Sequence, residues 1–298
     1  MVGRNILEHS FAEKYEILSP PRTELDLLDR QKIDRYLNHF APDMVIHAAG
    51  RVGGIRANLD SPVRFLVDNT NMALNLIESA HASGVMRLIN LASSCMYPRH
   101  AENPLKEEML LTGELEPTNE GYALAKLVST RHCSYISQSG GDARYKTLIP
   151  CNLFGRHDNF DEFSGHMIPA VMNRMVLAAR DRKESIQAWG DGSARREFML
   201  ASDLADFIFF ALASFDQLPL VMNVGVGSDH SVADYYRAIA SVVGYEGNIE
   251  YDSSKPVGMQ RKLLDVGWQK RLGWKPSSSL DKGLQETLDY FQQRSRFD

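Results

Sequence analysis

The sequence predicts an α/β fold, a doubly wound parallel sheet with helices on both faces, carrying a smaller interleaved C-terminal α/β lobe. Three observations predict it. Short apolar runs alternate with longer segments whose apolar residues recur at i, i+3, i+4 and i+7. The spacing between runs is that of strand–helix–strand crossovers. Beyond about residue 160, Pro, Gly and charged residues divide the chain into shorter elements, ending in the helical pattern SLDKGLQETLDYFQQ.

The expected strands are 15–19 (YEILS), 44–49 (MVIHAA), 88–93 (LINLAS), 146–152 (KTLIPCN), 221–224 (VMNV) and 248–251 (NIEY). Between them LLDRQKIDRYLNHF, VRFLVDNTNMALNLIESAHASG and YALAKLVSTRHCSYISQ read as amphipathic helices. His47, inside MVIHAAG, reads as a core histidine with its hydrogen bonds satisfied, and Cys133 and Cys151 as core packing. Ligands of such sheets bind beyond the carboxyl ends of the strands, which directs attention to 19–22, 48–54, 93–97 and 152–158.

Charge and cysteine content narrow the function. With 33 Lys and Arg against 38 Asp and Glu, the net charge of −5 gives no electrostatic case for nucleic acid or an anionic membrane as partner. The apolar runs fall well short of the ~20 residues that span a bilayer, and the first residues lack a basic-then-apolar secretory pattern. Three cysteines, Cys95, Cys133 and Cys151, cannot all pair and match no zinc spacing, so neither metal nor structural disulfide is expected, and the expected location is cytoplasmic.

One constellation carries chemistry. Tyr122 and Lys126 stand at i, i+4 on one helix face, and Ser93 ends a strand upstream. An ammonium beside the phenol is expected to lower its pKa from about 10 toward working pH, fitting it to move a proton as carbonyl and alcohol interconvert. A strand-end Ser hydroxyl can hold the same oxygen, and the Lys can reach a nicotinamide ribose. A Tyr-x-x-x-Lys pair alone arises by chance in many helices; the strand-end Ser and the βαβ frame make it specific.

With these residues the sequence resembles the extended short-chain dehydrogenase/reductases, in the branch that epimerises and then reduces GDP-4-keto-6-deoxymannose with NADPH. The resemblance runs end to end. It is carried by RTELDLLD (22–29), RVGGIRAN (51–58), ASSCMYP (92–98), LEPTNEGYALAK (115–126), NLFGRHDNF (152–160), GHMIPA (165–170), RREF (195–198) and RKLLDV (261–266). It implies a Rossmann-type NADP(H) domain over 1–165 and about 197–222, and a GDP-sugar lobe over about 166–196 and 223–298.

Position by position, the resemblance implies Ser93, Tyr122 and Lys126 as the reductase triad, and Cys95 and His166 as the epimerising pair. Inversion beside a ketone needs a base on one face and an acid on the other, and Cys and His both titrate near neutrality. Packing at a strand end is the plain alternative for Cys95, and helix capping for His166. The implied cofactor contacts are Gly3, Arg22, Ala48, Ala49, Gly50, Lys126, Asn152, Leu153 and His166. Arg22 at the second strand's tip suits the 2′-phosphate of NADP. For the GDP-deoxy-keto-sugar the implied contacts are Arg174, Trp189 and Arg196, Arg being apt for a diphosphate; lobe packing or a solvated helix face is the alternative for Trp189 and Arg174. A homodimer through the helices around 69–79 and Tyr122 is also implied.

Two departures stand out. Val257 occupies a position where the family pattern KPDG carries Asp, which motivates a 3-deoxy substrate and a GDP-L-colitose product as the runner-up. A catalytically idle sugar-nucleotide binder is the alternative of a different class. Residues 1–6 resemble the tail of a G-x-x-G-x-x-G turn with Gly3 as its last glycine. The preceding strand and glycines are expected upstream of Met1, through an omitted segment or a late start.

Overall fold

In the computed structural model, which describes residues 1–294, four parallel strands form the main sheet. They are β1 (Met44–His47), β2 (Arg87–Leu91), β3 (Arg144–Pro150) and a strand at Val221–Val224, in that order. Their registers place Ile46 beside Ile89, Ile89 beside Lys146, and Leu148 beside Met222. β2 and β3 are buried almost throughout, as continuous apolar runs in a two-sided sheet must be.

Before the sheet lie α1 (Val2–Leu7) and α2 (Arg30–Phe40). Asp29 caps α2, accepting from the Lys32 amide at 3.1 Å, and Ala41 ends it in a left-handed conformation. After β1 come the short α3 (Ile55–Asp60) and the long α4 (Pro62–Ala82), whose Pro sits where its missing N–H costs nothing. α5 (Glu120–Gln138) runs between β2 and β3. One core packs α2, α4 and α5 on the sheet around Ile33, Ile77, Leu88 and Tyr145.

The chain then leaves the sheet. β4 (Asn152–Phe154) is followed by α6 (Met167–Arg180), β5 (Ser185–Trp189), β6 (Arg195–Arg196), β7 (Phe198–Leu200) and α7 (Ala201–Ala213). α7 returns to the sheet, packing Leu204, Phe207 and Ile208 with Ile6, Ile89 and Leu148. Next come the fourth sheet strand, β8 (Val221–Val224), then β9 (His230–Ser231), α8 (Val232–Val243), β10 (Asn248–Asp252), β11 (Arg261–Lys262), α9 (Gly267–Leu272) and α10 (Leu280–Arg294). α6, α8 and α10 enclose a separate core with Met172, Tyr235, Ile239 and Leu284. β10 pairs with β5, while β6 is flanked by β11 and β9.

Two expected strands are corrected. Residues 15–19 form no ladder: a short 3₁₀ turn ends at Lys14, and Ile17 and Leu18 are partly exposed. Apolar β-formers make a strand only beside a partner, and none of the described strands lies alongside. The expected strand 146–152 breaks at Cys151: β3 stops at Pro150, and β4 pairs instead with β7, Asn152 opposite Phe198. Among the described residues no helix is long and apolar enough to cross a membrane.

Candidate active site

The parallel sheet delivers its candidate residues to the carboxyl ends of β1, β2 and β3. Beyond β2 the chain makes a one-turn 3₁₀ helix, Ser94–Met96, in which the Ser93 hydroxyl accepts from the Cys95 amide at 3.3 Å. This places the Ser93 and Cys95 side chains together at the strand end. Tyr122, in the first turn of α5, is hydrogen-bonded to Ser93.

Lys126 is 7 % exposed and donates to the backbone oxygen of Leu91 at 2.8 Å, with Nζ 5.8 Å from the Tyr122 ring centre. This corrects the expected electrostatics. Burial, reinforced by Cys95, raises the Tyr122 phenol above its ordinary range, and the Ser93 bond only partly offsets it. Burial instead lowers Lys126, to about 8. The phenol is therefore a held proton, suited to donation, beside a lysine that titrates near neutrality.

Three further side chains face Cys95. Asn119 donates its amide to Sγ at 3.3 Å, and Lys262 of β11 donates to Sγ at 3.8 Å. Arg196 of β6 acts on the thiol electrostatically; burial lowers its own pKa, against the pull of Glu116 and Cys95. Asn119 Oδ1 is shielded from solvent without a hydrogen-bond partner among the described residues, an acceptor left for a donor from a ligand. His166 stands at the N-terminus of α6, its imidazole lowered by burial and by Lys262. Lys262 thus faces both Cys95 and His166.

The β1 loop is built for close approach. A side chain on Gly50 would start 3.1 Å from Asn69 Oδ1 and 3.8 Å from Lys126 Nζ. Asn69 clamps the loop, accepting from the Arg51 amide at 2.8 Å and donating to its carbonyl at 3.0 Å. Further on, a Cβ on Gly54 would lie 2.5 Å from the Gly165 carbonyl, so this loop rests on the backbone that leads into His166. Ala48 and Ala49 keep the side chains ahead of this turn small, so the backbone beside Lys126 can be approached closely.

His47 is corrected as well: it is 2 % exposed, but Nδ1 has no hydrogen-bond partner among the described residues. Burial and the nearby Lys126 depress it to about 3, so it is a neutral imidazole.

Of the other expected residues, all but Arg196 make their contacts outside this cluster. Gly3 is in α1, with open space where a side chain would go. Arg22 is exposed, 3.4 Å from Asp26. Asn152 donates to the Glu197 carbonyl at 2.9 Å, and Leu153 pairs with Met199. Arg174 spans the lobe, donating to Glu162 at 2.9 Å and to the Gln187 carbonyl at 2.6 Å. Trp189 ends β5, 38 % exposed and opposite Asp252. Arg196 donates to its neighbour's carbonyl and, at 2.6 Å, to that of Val257.

Sequence reasoning did not single out Asn119, Lys262 or Glu197, though all lie in the quoted segments NEGYALAK, RKLLDV and RREF. Glu197 is fully buried and accepts from the Val226 and Gly227 amides, both at 2.6 Å, and from Leu264 at 2.9 Å. Burial nevertheless raises it to about 7. It ties the loop after β8 and the segment after β11 to β6, which holds Arg196 and Lys262 side by side in register.

A family model for the NAD dependent epimerase/dehydratase family matches residues 1–225. The chain belongs to that family. A nicotinamide dinucleotide is the family's cofactor, and the Gly50–Lys126 cradle suits one. Within the family the chain is similar to the GDP-L-colitose synthase of Yersinia pseudotuberculosis, 50% identical over 98% of this chain and 94% of the relative. It is 47% identical to the GDP-L-fucose synthase of Azorhizobium caulinodans, over 98% and 93%. Among solved structures it resembles MlghC, a GDP-mannoheptose C4 reductase from Campylobacter jejuni with NADP bound, at 27% identity and a TM-score of 0.86, covering 98% of this chain and 95% of that one.

Proposed function

We propose that this protein is an NADPH-dependent epimerase/reductase that converts a GDP-4-keto-6-deoxy-D-mannose-type sugar nucleotide into a GDP-6-deoxy-L-sugar such as GDP-L-fucose. One observation supports the reading: Lys262 donates to Cys95 Sγ and bears electrostatically on His166, while Ser93 acts on the Tyr122 phenol alongside Cys95. A reductase alone needs the second pair; an epimerase needs an acid and a base besides.

The sugar's C4 carbonyl oxygen sits against Ser93 and Tyr122. Cys95 and His166 exchange protons on opposite faces of the carbon beside that carbonyl, where enolate formation acidifies the C–H bond. Tyr122 then donates its proton to the C4 oxygen while Ser93 holds it. Bound NADPH supplies the hydride to C4. Lys126, Ala48, Ala49, Gly50, Asn152, Leu153 and His166 would contact the dinucleotide, Lys126 at its nicotinamide ribose, with Gly3 toward the pyrophosphate and Arg22 toward the adenosine ribose. Arg196, Arg174 and Trp189 take the GDP half. Residues 1–165 and about 197–222 serve the cofactor, and about 166–196 and 223–298 the substrate.

The phosphorylated cofactor is supported by exposed Arg22 and by the NADP-bound structural relative. A homodimer is supported by an apolar stripe on α4 and α5, where Val63, Val67, Leu124, Val128 and Tyr135 are exposed. Free Cys95, Cys133 and Cys151 suit the reducing cytoplasm.

The test is NADPH oxidation with GDP-4-keto-6-deoxymannose, with the product identified by NMR and Tyr122→Phe as control. Activity in neither protein with any GDP-4-keto sugar leaves a binding protein in its place. A second reading, GDP-L-colitose synthesis from the 3-deoxy substrate, is favoured by Val257. Its Cγ1 lies 2.1 Å from where a Cβ on Gly190 would be, so this corner is filled by an apolar side chain. Equal or better turnover of the 3-hydroxylated sugar sinks that reading.

A further inference from the structure

We propose that Val257 and Gly190 form a positioning pair for Arg196. The valine side chain, seated in the notch the glycine leaves, fixes the backbone carbonyl that aims the guanidinium at the diphosphate of a sugar nucleotide. The proposal rests on the reading of Arg196 as a contact to the GDP half. It holds for a 3-hydroxylated and a 3-deoxy sugar alike, since both carry the same diphosphate.

Arg196 is partly buried on β6, and its guanidinium leans on two backbone oxygens, that of Arg195 at 2.8 Å and that of Val257 at 2.6 Å. The planar fork carries more N–H groups than these bonds take up, so the remaining donors are held at a fixed angle. The first carbonyl belongs to the same strand and moves with it. The second belongs to the segment between β10 and β11, so the direction of Arg196 depends on that segment.

Backbone bonds tie the two ends of the segment. The Lys255 amide donates to the Asp252 carbonyl at 3.2 Å, and the Gln260 carbonyl accepts from the Arg195 amide at 2.8 Å. Its middle is held by shape. Gly190, just past the end of β5, has a φ of +77°, the left-handed region in which a side chain brings strain. A Cβ there would lie 2.1 Å from Val257 Cγ1, so the valine fills space that only a glycine vacates. On the other side, a side chain on Gly258 would start 3.5 Å from Arg196 Nη2 and 3.7 Å from Ile55 Cδ1 of α3. The Val257 carbonyl is thereby pinned between the notch and the guanidinium. Gly190 directly follows Trp189, and its amide donates to the Asp252 carbonyl at 2.8 Å. One apolar contact thus couples the strand end that bears Trp189 to the orientation of Arg196.

Freed from that carbonyl, an arginine side chain samples many rotamers, and ordering it again at each encounter weakens binding. The pair therefore acts on affinity and not on the chemical step.

The test is GDP binding to the full chain by isothermal titration calorimetry, in wild type, Arg196→Met, Val257→Ala, Gly190→Ala and the double variant Gly190→Ala/Val257→Ala. Val257→Ala empties the notch and Gly190→Ala pushes the valine out of it; each should raise Kd roughly three- to tenfold. In the double variant the two alanines meet in ordinary contact, because Val257 Cβ lies 3.5 Å from the Cβ position on Gly190. It should bind more tightly than either single variant, a non-additivity that independent damage does not give. With the keto sugar and NADPH, the single variants should raise KM with kcat held, and circular dichroism checks that each is folded. Single variants that bind GDP as wild type does, or a double variant that binds no better than the singles, overturn the proposal and leave Arg196 as a GDP contact. A fall in kcat at unchanged KM moves the pair to the reacting carbon and also overturns it. Unchanged binding in Arg196→Met, or no GDP binding by the wild type, removes the reading of Arg196 itself, and this role with it.

Discussion

Lys126 spends its buried ammonium on the backbone oxygen of Leu91, 2.8 Å away, and not on the phenol of Tyr122 one helical turn earlier. It thereby anchors the first turns of α5 to the end of β2. Burial holds it near pH 8. We expect kcat/KM for reduction to fall as pH rises through about 8, and Lys126→Arg, charged at every working pH, to move that limb upward. Stability should run the other way. Between about 8 and 10.5 the unfolded chain holds this proton and the folded one does not, so the Lys126 contribution to stability rises with pH. Denaturant titrations of wild type and Lys126→Met across that window check the sign.

Tyr122→Phe removes the donated proton and leaves the ring packed at 6.3 Å from Phe65. NADPH-dependent reduction should fall by roughly 10²–10⁴-fold, the range of a single acid–base group. The melting temperature should stay close to wild type, and a Tm loss matching the activity loss would argue for a structural role.

Glu197→Gln keeps the shape of the side chain but not its two acceptors. The Val226 and Gly227 amides still find an oxygen, whereas Leu264 N–H meets an amide N–H₂. Leaving that buried donor unmet should cost about 1–3 kcal/mol in chemical denaturation. The pH dependence also has a definite sign. Between 4.5 and about 7 the folded state binds the Glu197 proton more tightly than the unfolded chain, so stability declines across that interval and levels off above it. Glu197→Gln should flatten this slope.

Val128→Arg places a charge in the middle of the exposed α4–α5 stripe, with Val128 40 % exposed beforehand. Light scattering should report a dimer for the wild type and a monomer for the variant, with the circular dichroism spectrum unchanged. A wild-type monomer excludes the proposed pairing.

The parts of this molecule legible in sequence are those decided locally. β2 and β3 are apolar because both faces are covered, and the Tyr122–Lys126 spacing puts two side chains on one helix face whatever surrounds them. The segment 15–19 misled because its residues suit a strand, while pairing depends on what lies alongside. The fall of Lys126 and the rise of Tyr122 were equally out of reach, since both are set by burial and not by the i, i+4 spacing. Lys262 was legible as part of RKLLDV but not as a neighbour of Cys95, because only the β6–β11 pairing brings it there.

The two-rung ladder of β6 and β11 is also a gauge of length. Arg196 and Lys262 are opposite rungs, so the diphosphate contact proposed for Arg196 and the Lys262 contact to Cys95 would share one piece of backbone. A substrate whose sugar hangs one bond too short or too long from its diphosphate meets both contacts out of step. On the proposed function, selection for the right nucleotide sugar would then be enforced where the proton moves, before any hydroxyl is inspected.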